Sequence, residues 1–330
     1  MNQLMKAVVV GEGGPQVQDM PLPSCGPQDV LVRVRAAALN RADLQVAAGH
    51  RHGRTGGPGT IIGMEWAGEV AALGVGVPAA AGLAVGDAVM CSGAGGYAEY
   101  AACDWGRVYK LPRAGMDPVQ AATLPIALQT AHEAITASGA FQRGETVLVQ
   151  GASSGVGLMS LQVARHLGAS LVIGTSTNAE RRALLADHGA SLALDSRSEE
   201  WSRQVLDATA GEGVHLVIDF VAGPTVNGTL ACTRVCGRIV NVGRMGGFSG
   251  AFDFDLHALR RIRYVGATFR TRTREEVRAI AQAMRHDLWD AVAAGELRLP
   301  VSRTFPLAEA AQALACMRSN AHFGKLVLVA

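Results

Sequence analysis

The chain opens as short apolar runs broken by glycine: K-A-V-V-V (6–10), D-V-L-V-R-V-R-A-A-A-L (29–39), W-A-G-E-V-A-A-L-G (66–74), G-D-A-V-M-C (86–91), Y-A-E-Y-A (97–101) and R-V-Y-K-L-P (107–112). Several alternate in polarity with period two, the pattern of half-buried antiparallel strands, so the first third is predicted to be β-rich. From about residue 117 the pattern changes. D-P-V-Q-A-A-T-L-P-I-A-L-Q-T-A-H-E-A-I-T reads as helical turns, and strand-like and helix-like segments then alternate. Apolar, largely β-branched strands are predicted at 146–150, 170–175, 191–195, 215–220, 238–243 and 262–268. Helices fall between them, to about 167, from about 179, near 198–209 and near 224–235.

Six such strands with helical connections predict an α/β chain with a doubly wound parallel six-stranded sheet, the Rossmann pattern. A helix at 273–294 follows, then a helix within T-F-P-L-A-E-A-A-Q-A-L-A-C-M and a last strand in G-K-L-V-L-V-A. That strand is one more than the sheet needs, so it is expected to return to the β-rich domain. The expected division is 1–122 with 295–330 for the β-rich domain and 123–294 for the Rossmann domain.

Composition narrows the function. The 330 residues are 49% hydrophobic, enough for two domains. Thirty basic residues are interspersed with 28 acidic ones for a net charge of +2, which argues against a nucleic-acid or membrane-surface footprint and for small-molecule chemistry. No stretch approaches the roughly 18 apolar residues of a membrane span, and the start lacks a signal-peptide core; a cytoplasmic protein is expected. The six cysteines include no C-x-x-C pair and are expected to be reduced and mostly buried.

T-V-L-V-Q-G-A-S-S-G-V-G places Gly151, Ala152, Ser153, Ser154, Gly155, Val156 and Gly157 between an apolar strand and a helix. Glycines there allow a tight turn and close approach to a pyrophosphate, whose charge suits unpaired N–H groups at a helix N-terminus. A site for NAD usually has an acid about 20 residues on. Here the second strand ends in Thr175, Ser176 and Thr177, with Arg181 and Arg182 just beyond. Small hydroxyls with a guanidinium suit a 2′-phosphate, so NADP(H) is the expected cofactor. Glu180 is read as the acid of a capping box begun by Thr177. Val242, Gly243 and Arg244 at the fifth strand's end, and Thr268, Phe269 and Arg270 at the sixth, fall where ligands bind parallel sheets, although Arg270 reads equally as a surface charge.

A-L-N-R-A-D-L (38–44), G-M-E-W-A-G-E-V (63–70), G-G-Y-A-E-Y (95–100), L-P-I-A-L-Q-T-A (124–131), G-A-S-S-G-V-G, G-R-I-V-N-V-G (237–243), T-F-R-T-R-T-R-E-E (268–276) and the closing F-G-K-L-V-L-V occur in order over nearly the whole chain. Together they resemble the zinc-independent, zeta-crystallin-like quinone oxidoreductases of the medium-chain dehydrogenase/reductase superfamily. The resemblance implies a GroES-like β domain, completed by the C-terminal strand, beside a Rossmann domain, with substrate and nicotinamide in the cleft between. It also implies a homodimer. Zinc alcohol dehydrogenases of that superfamily have cysteine near the position of Asn40 and histidine before the glutamate; here Asn40 and Met64 stand there. An amide and a thioether do not replace imidazole and thiolate at zinc, so no metal is expected.

The implied activity is hydride transfer from NADPH to a quinone or an α,β-unsaturated carbonyl. A zinc-free carbonyl or alcohol oxidoreductase and a non-catalytic, crystallin-like NADPH-binding protein are the alternatives. By resemblance Asn40 lies beside the nicotinamide and offers an amide to the acceptor oxygen; its other reading is to order its own loop. Thr130 is placed by resemblance near the nicotinamide carboxamide or ribose. Where many relatives have tyrosine, the loop G-H-R-H-G-R puts His50, Arg51 or His52, either a solvated loop or a cationic one favouring an anionic enone. Glu65 is read as a structural acid that bonds neighbouring backbone or an arginine.

Overall fold

A computed structural model describes residues 3–53, 55–112 and 116–330. The chain divides into two compact units, one built from residues up to Ile126 together with Phe269–Ala330, the other from Ala127–Thr268.

The first unit begins with an antiparallel hairpin, β1 (Leu4–Gly11) and β2 (Gly14–Pro21). There follow β3 (Asp29–Ala38), β4 (Glu65–Leu73), β5 (Ala88–Ser92), β6 (Tyr100–Asp104) and β7 (Val108–Lys110). Along β3 the alternate residues Val30, Val32 and Val34 are buried, so the period-two reading of this stretch holds. Gly68 answers a close approach in β4: a Cβ there would lie 1.9 Å from the Arg33 carbonyl oxygen of β3.

The second unit holds β8 (Thr146–Gln150), β9 (Leu171–Thr175), β10 (Leu192–Leu194), β11 (Val214–Asp219), β12 (Thr233–Asn241) and β13 (Arg263–Gly266). They form one parallel sheet in the order β10-β9-β8-β11-β12-β13, which is the 3-2-1-4-5-6 arrangement of a Rossmann sheet. The strand order reverses beside β8, so the glycine loop that follows β8 lies at the switch point where ligands bind such sheets. The helix expected near 224–235 is shorter, Val226–Cys232, because Thr233 already pairs as the first residue of β12.

The chain then returns to the first unit. The 21-residue helix Arg274–Ala294, capped by a Thr273–Glu276 box, was expected at the end of the Rossmann domain but belongs to this unit. Asp104 accepts from its Arg278 at 2.8 and 2.6 Å, and Trp289 packs on Tyr109 with ring centroids 5.8 Å apart. Neither contact has a sequence signal, since the partners are far apart along the chain. β14 (Val301–Pro306) is a strand that the polarity pattern does not announce, because on this edge position only Phe305 is fully buried. β15 (Lys325–Val329) does join the β-rich sheet, giving the order β14-β15-β3-β4-β5-β7 with β6 paired to β3. All six cysteines are free thiols; Cys91, Cys103 and Cys232 are buried and Cys236 is exposed. Among the described residues no helix is long and apolar enough to cross a membrane.

Candidate active site

In the second unit the turn from β8 into the next helix has the geometry of a candidate phosphate site. Gly151 has φ +74°, a conformation that side chains other than glycine's rarely adopt. Ser154 caps the 12-residue helix Gly155–His166: its Oγ accepts from the Gly157 N–H at 3.1 Å and donates to the Gly151 carbonyl at 2.9 Å. A Cβ on Gly157 would lie 2.6 Å from the Gly151 oxygen, so this position must be glycine for the helix to sit on the turn. Ser153, Ser154, Gly155 and Val156 are half-exposed, whereas Ala152 is buried. Helix N-termini leave unpaired N–H groups and a positive dipole end, so the residues present fit a pyrophosphate.

The adjoining end of β9 is arranged differently from its sequence reading. Thr175 is fully buried; its hydroxyl donates to Gln150 at 2.6 Å and accepts from the Gly151 N–H at 3.1 Å, so it braces the turn. Ser176 is tied across to Ser153, oxygen to oxygen, at 3.0 Å, and Thr177 is exposed. Thr177 does not begin a capping box with Glu180. The helix Ala179–Ala183 starts one residue later than that reading requires, and Asn178 caps it by accepting from the Arg181 N–H at 2.9 Å. Arg181 is half-buried beside them. Arg182 donates to the Ser176 carbonyl at 2.8 Å and pairs with Asp195 at 3.2 Å, and Arg197 pairs with the same carboxylate. The guanidiniums, Arg197 first, hold the Asp195 carboxyl below its usual range.

At the end of β12, the Val242 and Gly243 N–H groups donate to the Asp219 carbonyl at 2.8 and 3.0 Å. A Cβ on Gly243 would come within 2.7 Å of the Phe220 oxygen. Asp219 is buried, which raises its carboxyl; one oxygen takes the N–H groups of Val221 and Ala222, and Arg244 lies close enough to oppose the rise. Thr130, half-buried in the helix Pro125–Glu133, and Thr268, half-buried after β13, complete the second unit's candidates.

In the first unit Glu65 opens β4 and is fully buried. One of its oxygens accepts from Lys325 Nζ at 2.6 Å and from Asn40 Nδ2 at 2.9 Å; the other accepts from the Ile126 N–H at 2.8 Å. Glu65 thus bonds backbone as expected, but its cationic partner is a lysine, not an arginine. Lys325 also donates to Asn40 Oδ1 at 3.0 Å, so both ends of that amide are held. Asn40 precedes the helix Arg41–Ala47, and its backbone N–H donates to Asp43. Asp43 is buried and takes a second hydrogen bond from the Tyr97 hydroxyl at 2.8 Å on the same oxygen. Burial pushes its carboxyl up to about 7, partly offset by these hydrogen bonds and by Lys325 and raised again by Glu65.

Sequence reasoning passed over Lys325, Asp43 and Tyr97. The available signal was a lone charge opening the apolar run K-L-V-L-V, and the polar residues inside N-R-A-D and G-G-Y-A-E-Y.

His50 and Arg51 are exposed, and Arg54 lies outside the described residues. The structure brings their loop against Arg270: a Cβ on Gly53 would lie 3.3 Å from the Arg270 carbonyl. His52 is held below the usual histidine range by its burial and then by the Arg270 charge. Phe269, half-buried, precedes that arginine. Among the described residues no group of three or more His, Cys, Asp or Glu side chains converges.

Fold and loop together define a nucleotide-binding dehydrogenase. Residues 26–113 match the alcohol dehydrogenase GroES-like domain and residues 155–285 the zinc-binding dehydrogenase family. The chain is 30% identical to the quinone oxidoreductase of Rattus norvegicus over 335 aligned positions, covering 99% of this chain and 98% of that one. It is 32% identical to a mycocerosic acid synthase-like polyketide synthase of Mycobacterium tuberculosis, over 92% of this chain but 14% of that protein's length. A mycobacterial structure complexed with NADPH superposes with a TM-score of 0.86 at 28% identity, covering 99% of this chain and all of that one. The chain belongs to the quinone oxidoreductase family of the medium-chain dehydrogenase/reductase superfamily.

Two outcomes follow from the buried polar cluster. Glu65→Gln leaves the Lys325 ammonium without its counter-charge, so thermal unfolding should show a loss of about 3 kcal/mol or more. Loss of turnover with an unchanged melting temperature and unchanged NADPH affinity would overturn this structural role. For Asp43, the folded protein keeps a proton that the unfolded chain releases between pH 3.8 and about 7. Its stabilising contribution is therefore complete below that range and is lost as pH rises through it. Asp43→Asn should flatten the difference between urea midpoints at about pH 5 and about pH 8; a variant with the parent's pH dependence would refute the assignment.

Proposed function

We propose that the chain is an NADP(H)-dependent oxidoreductase that reduces quinones or α,β-unsaturated carbonyls without a metal. The observation that carries this reading is the phosphate cradle at the switch point of the parallel sheet, beside a strand end that offers guanidiniums where an NAD site would offer an acid. Backbone N–H groups of Ser153, Gly155 and Val156 would hold the pyrophosphate, the Ser154 N–H being turned to the Gly151 carbonyl, and Arg181, with the exposed Thr177, would hold the 2′-phosphate. Asp195, which follows β10, is already engaged by Arg182 and Arg197, which favours a phosphate over a bare ribose hydroxyl. Bound NADPH supplies a hydride.

The chain's own side chains then have one task, to orient the acceptor and to stabilise charge on its oxygen. Asn40 is the candidate donor: its amide is fixed by Glu65 and Lys325, and the second hydrogen of Nδ2, a nitrogen 3.5 Å from the Ala38 carbonyl, is the one an acceptor would take. The same cluster supports a metal-free reaction, because the carboxylate that a metal would use is already paired with an ammonium. Arg51 and Arg270, with His50 beside Arg51, would form a cationic rim suited to an anionic enone or acrylate-like substrate.

We also infer a homodimer. β13 is a sheet-edge strand with exposed residues, and Phe248, Phe254 and Leu259, also of this unit, are 87%, 76% and 74% exposed, more apolar surface than an isolated unit ordinarily leaves in water.

NADPH oxidation with a panel of quinones, enones and aldehydes tests the reaction, and turnover of aldehydes alone would overturn it. Arg51→Ala should lower kcat/KM for an acidic enone about fivefold and leave a neutral enone unaffected, the scale of one exposed charge; an unchanged value removes the role of the rim. Analytical ultracentrifugation should find two chains per particle and one for Leu259→Asp; a wild-type monomer would sink the dimer.

A further inference from the structure

A second groove lies wholly within the first unit, between the turn Trp105–Arg107 and the helix Arg274–Ala294. Its volume is about 520 Å³, within the range of small-molecule sites. Two indoles line it, Trp105 and Trp289, over a small-residue floor that includes Ala281. Each indole carries a cation: the Arg278 guanidinium lies 4.7 Å from the Trp105 ring centre and that of Arg285 lies 5.6 Å from the Trp289 ring centre.

The two arginines differ in a way that matters. Arg278 is anchored, donating to both Asp104 oxygens and to Gln28 at 2.7 Å, and Gly106 leaves it room, since a Cβ there would lie 2.3 Å from the Arg278 Cγ. Asp104 is shared with Arg274 at 3.4 Å, so one carboxylate faces two guanidiniums. Arg285, by contrast, makes no hydrogen bond or ion pair among the described residues, and neither does the amide of Gln282 one turn before it. His286 beside it is paired with Asp287 at 2.8 Å.

We propose that this groove is a binding site for a planar aromatic monocarboxylate. The carboxylate meets the fork of Arg285 and the amide of Gln282, and the flat apolar body lies between Trp105 and Trp289 against Val108 and Ala281. The Arg285 fork, which no carboxylate pairs with among the described residues, favours a carboxylate, and two indoles in one groove favour a ring system over an aliphatic chain.

Titration calorimetry of the full chain with naphthoate tests this, alongside the neutral naphthylmethanol. Wild type should bind one naphthoate per chain, and naphthylmethanol roughly tenfold more weakly. Arg285→Gln, and Gln282→Glu, which sets a competing carboxylate one helical turn from Arg285, should each weaken naphthoate by a similar factor while leaving NADPH oxidation unchanged. No saturable binding, binding insensitive to both substitutions, or naphthylmethanol binding as tightly as naphthoate would overturn the proposal.

Discussion

The buried ion pair between Glu65 and Lys325 is the constraint around which the first unit is organised. Two charges taken out of water are tolerable only when each finds its counterpart and the remaining polar atoms are hydrogen-bonded. Here the carboxylate is met by the ammonium, the Asn40 amide and the Ile126 N–H. The pair joins the first residue of β4 to the first residue of β15, and so fixes the last strand beside β3. It also holds the Asn40 amide in one orientation, and thereby couples the stability of the sheet to the geometry of a candidate donor. Asp43 and Tyr97 extend the polar network beneath the same helix start.

The second unit follows a different logic, in which backbone does most of the work. Gly151, Ser154 and Gly157 form a turn that leaves helix N–H groups facing outward, and buried Thr175 and Gln150 brace it from below. Rigidity there is useful, since a pre-formed cradle loses little conformational entropy when an anion enters. The guanidiniums proposed to discriminate between cofactors lie just beyond β9 and β10, and those of Arg182 and Arg197 are tied by Asp195.

Much of this was legible in the sequence for identifiable reasons. The central parallel strands β8, β9, β11 and β12 show as separate apolar runs because they are largely buried on both faces, and the glycine turn shows because its conformation excludes other residues. β14 was not legible, being an edge strand with a single fully buried side chain. Nor was the brace formed by Thr175, whose hydroxyl looked available to a ligand until burial placed it against Gln150. The helix Arg274–Ala294 was recognisable as a helix from its pattern and caps, but its unit was not, because Asp104 and Tyr109 lie far away along the chain.

The sequence by itself thus determined the class of fold, the glycine turn after β8 and the amide and thioether at positions 40 and 64, all of which are encoded by neighbours within a turn or a strand. Only the tertiary structure decided what Glu65 does. Its partner is 260 residues away, and nothing in local periodicity says which distant charge a buried carboxylate will meet once the sheet has closed.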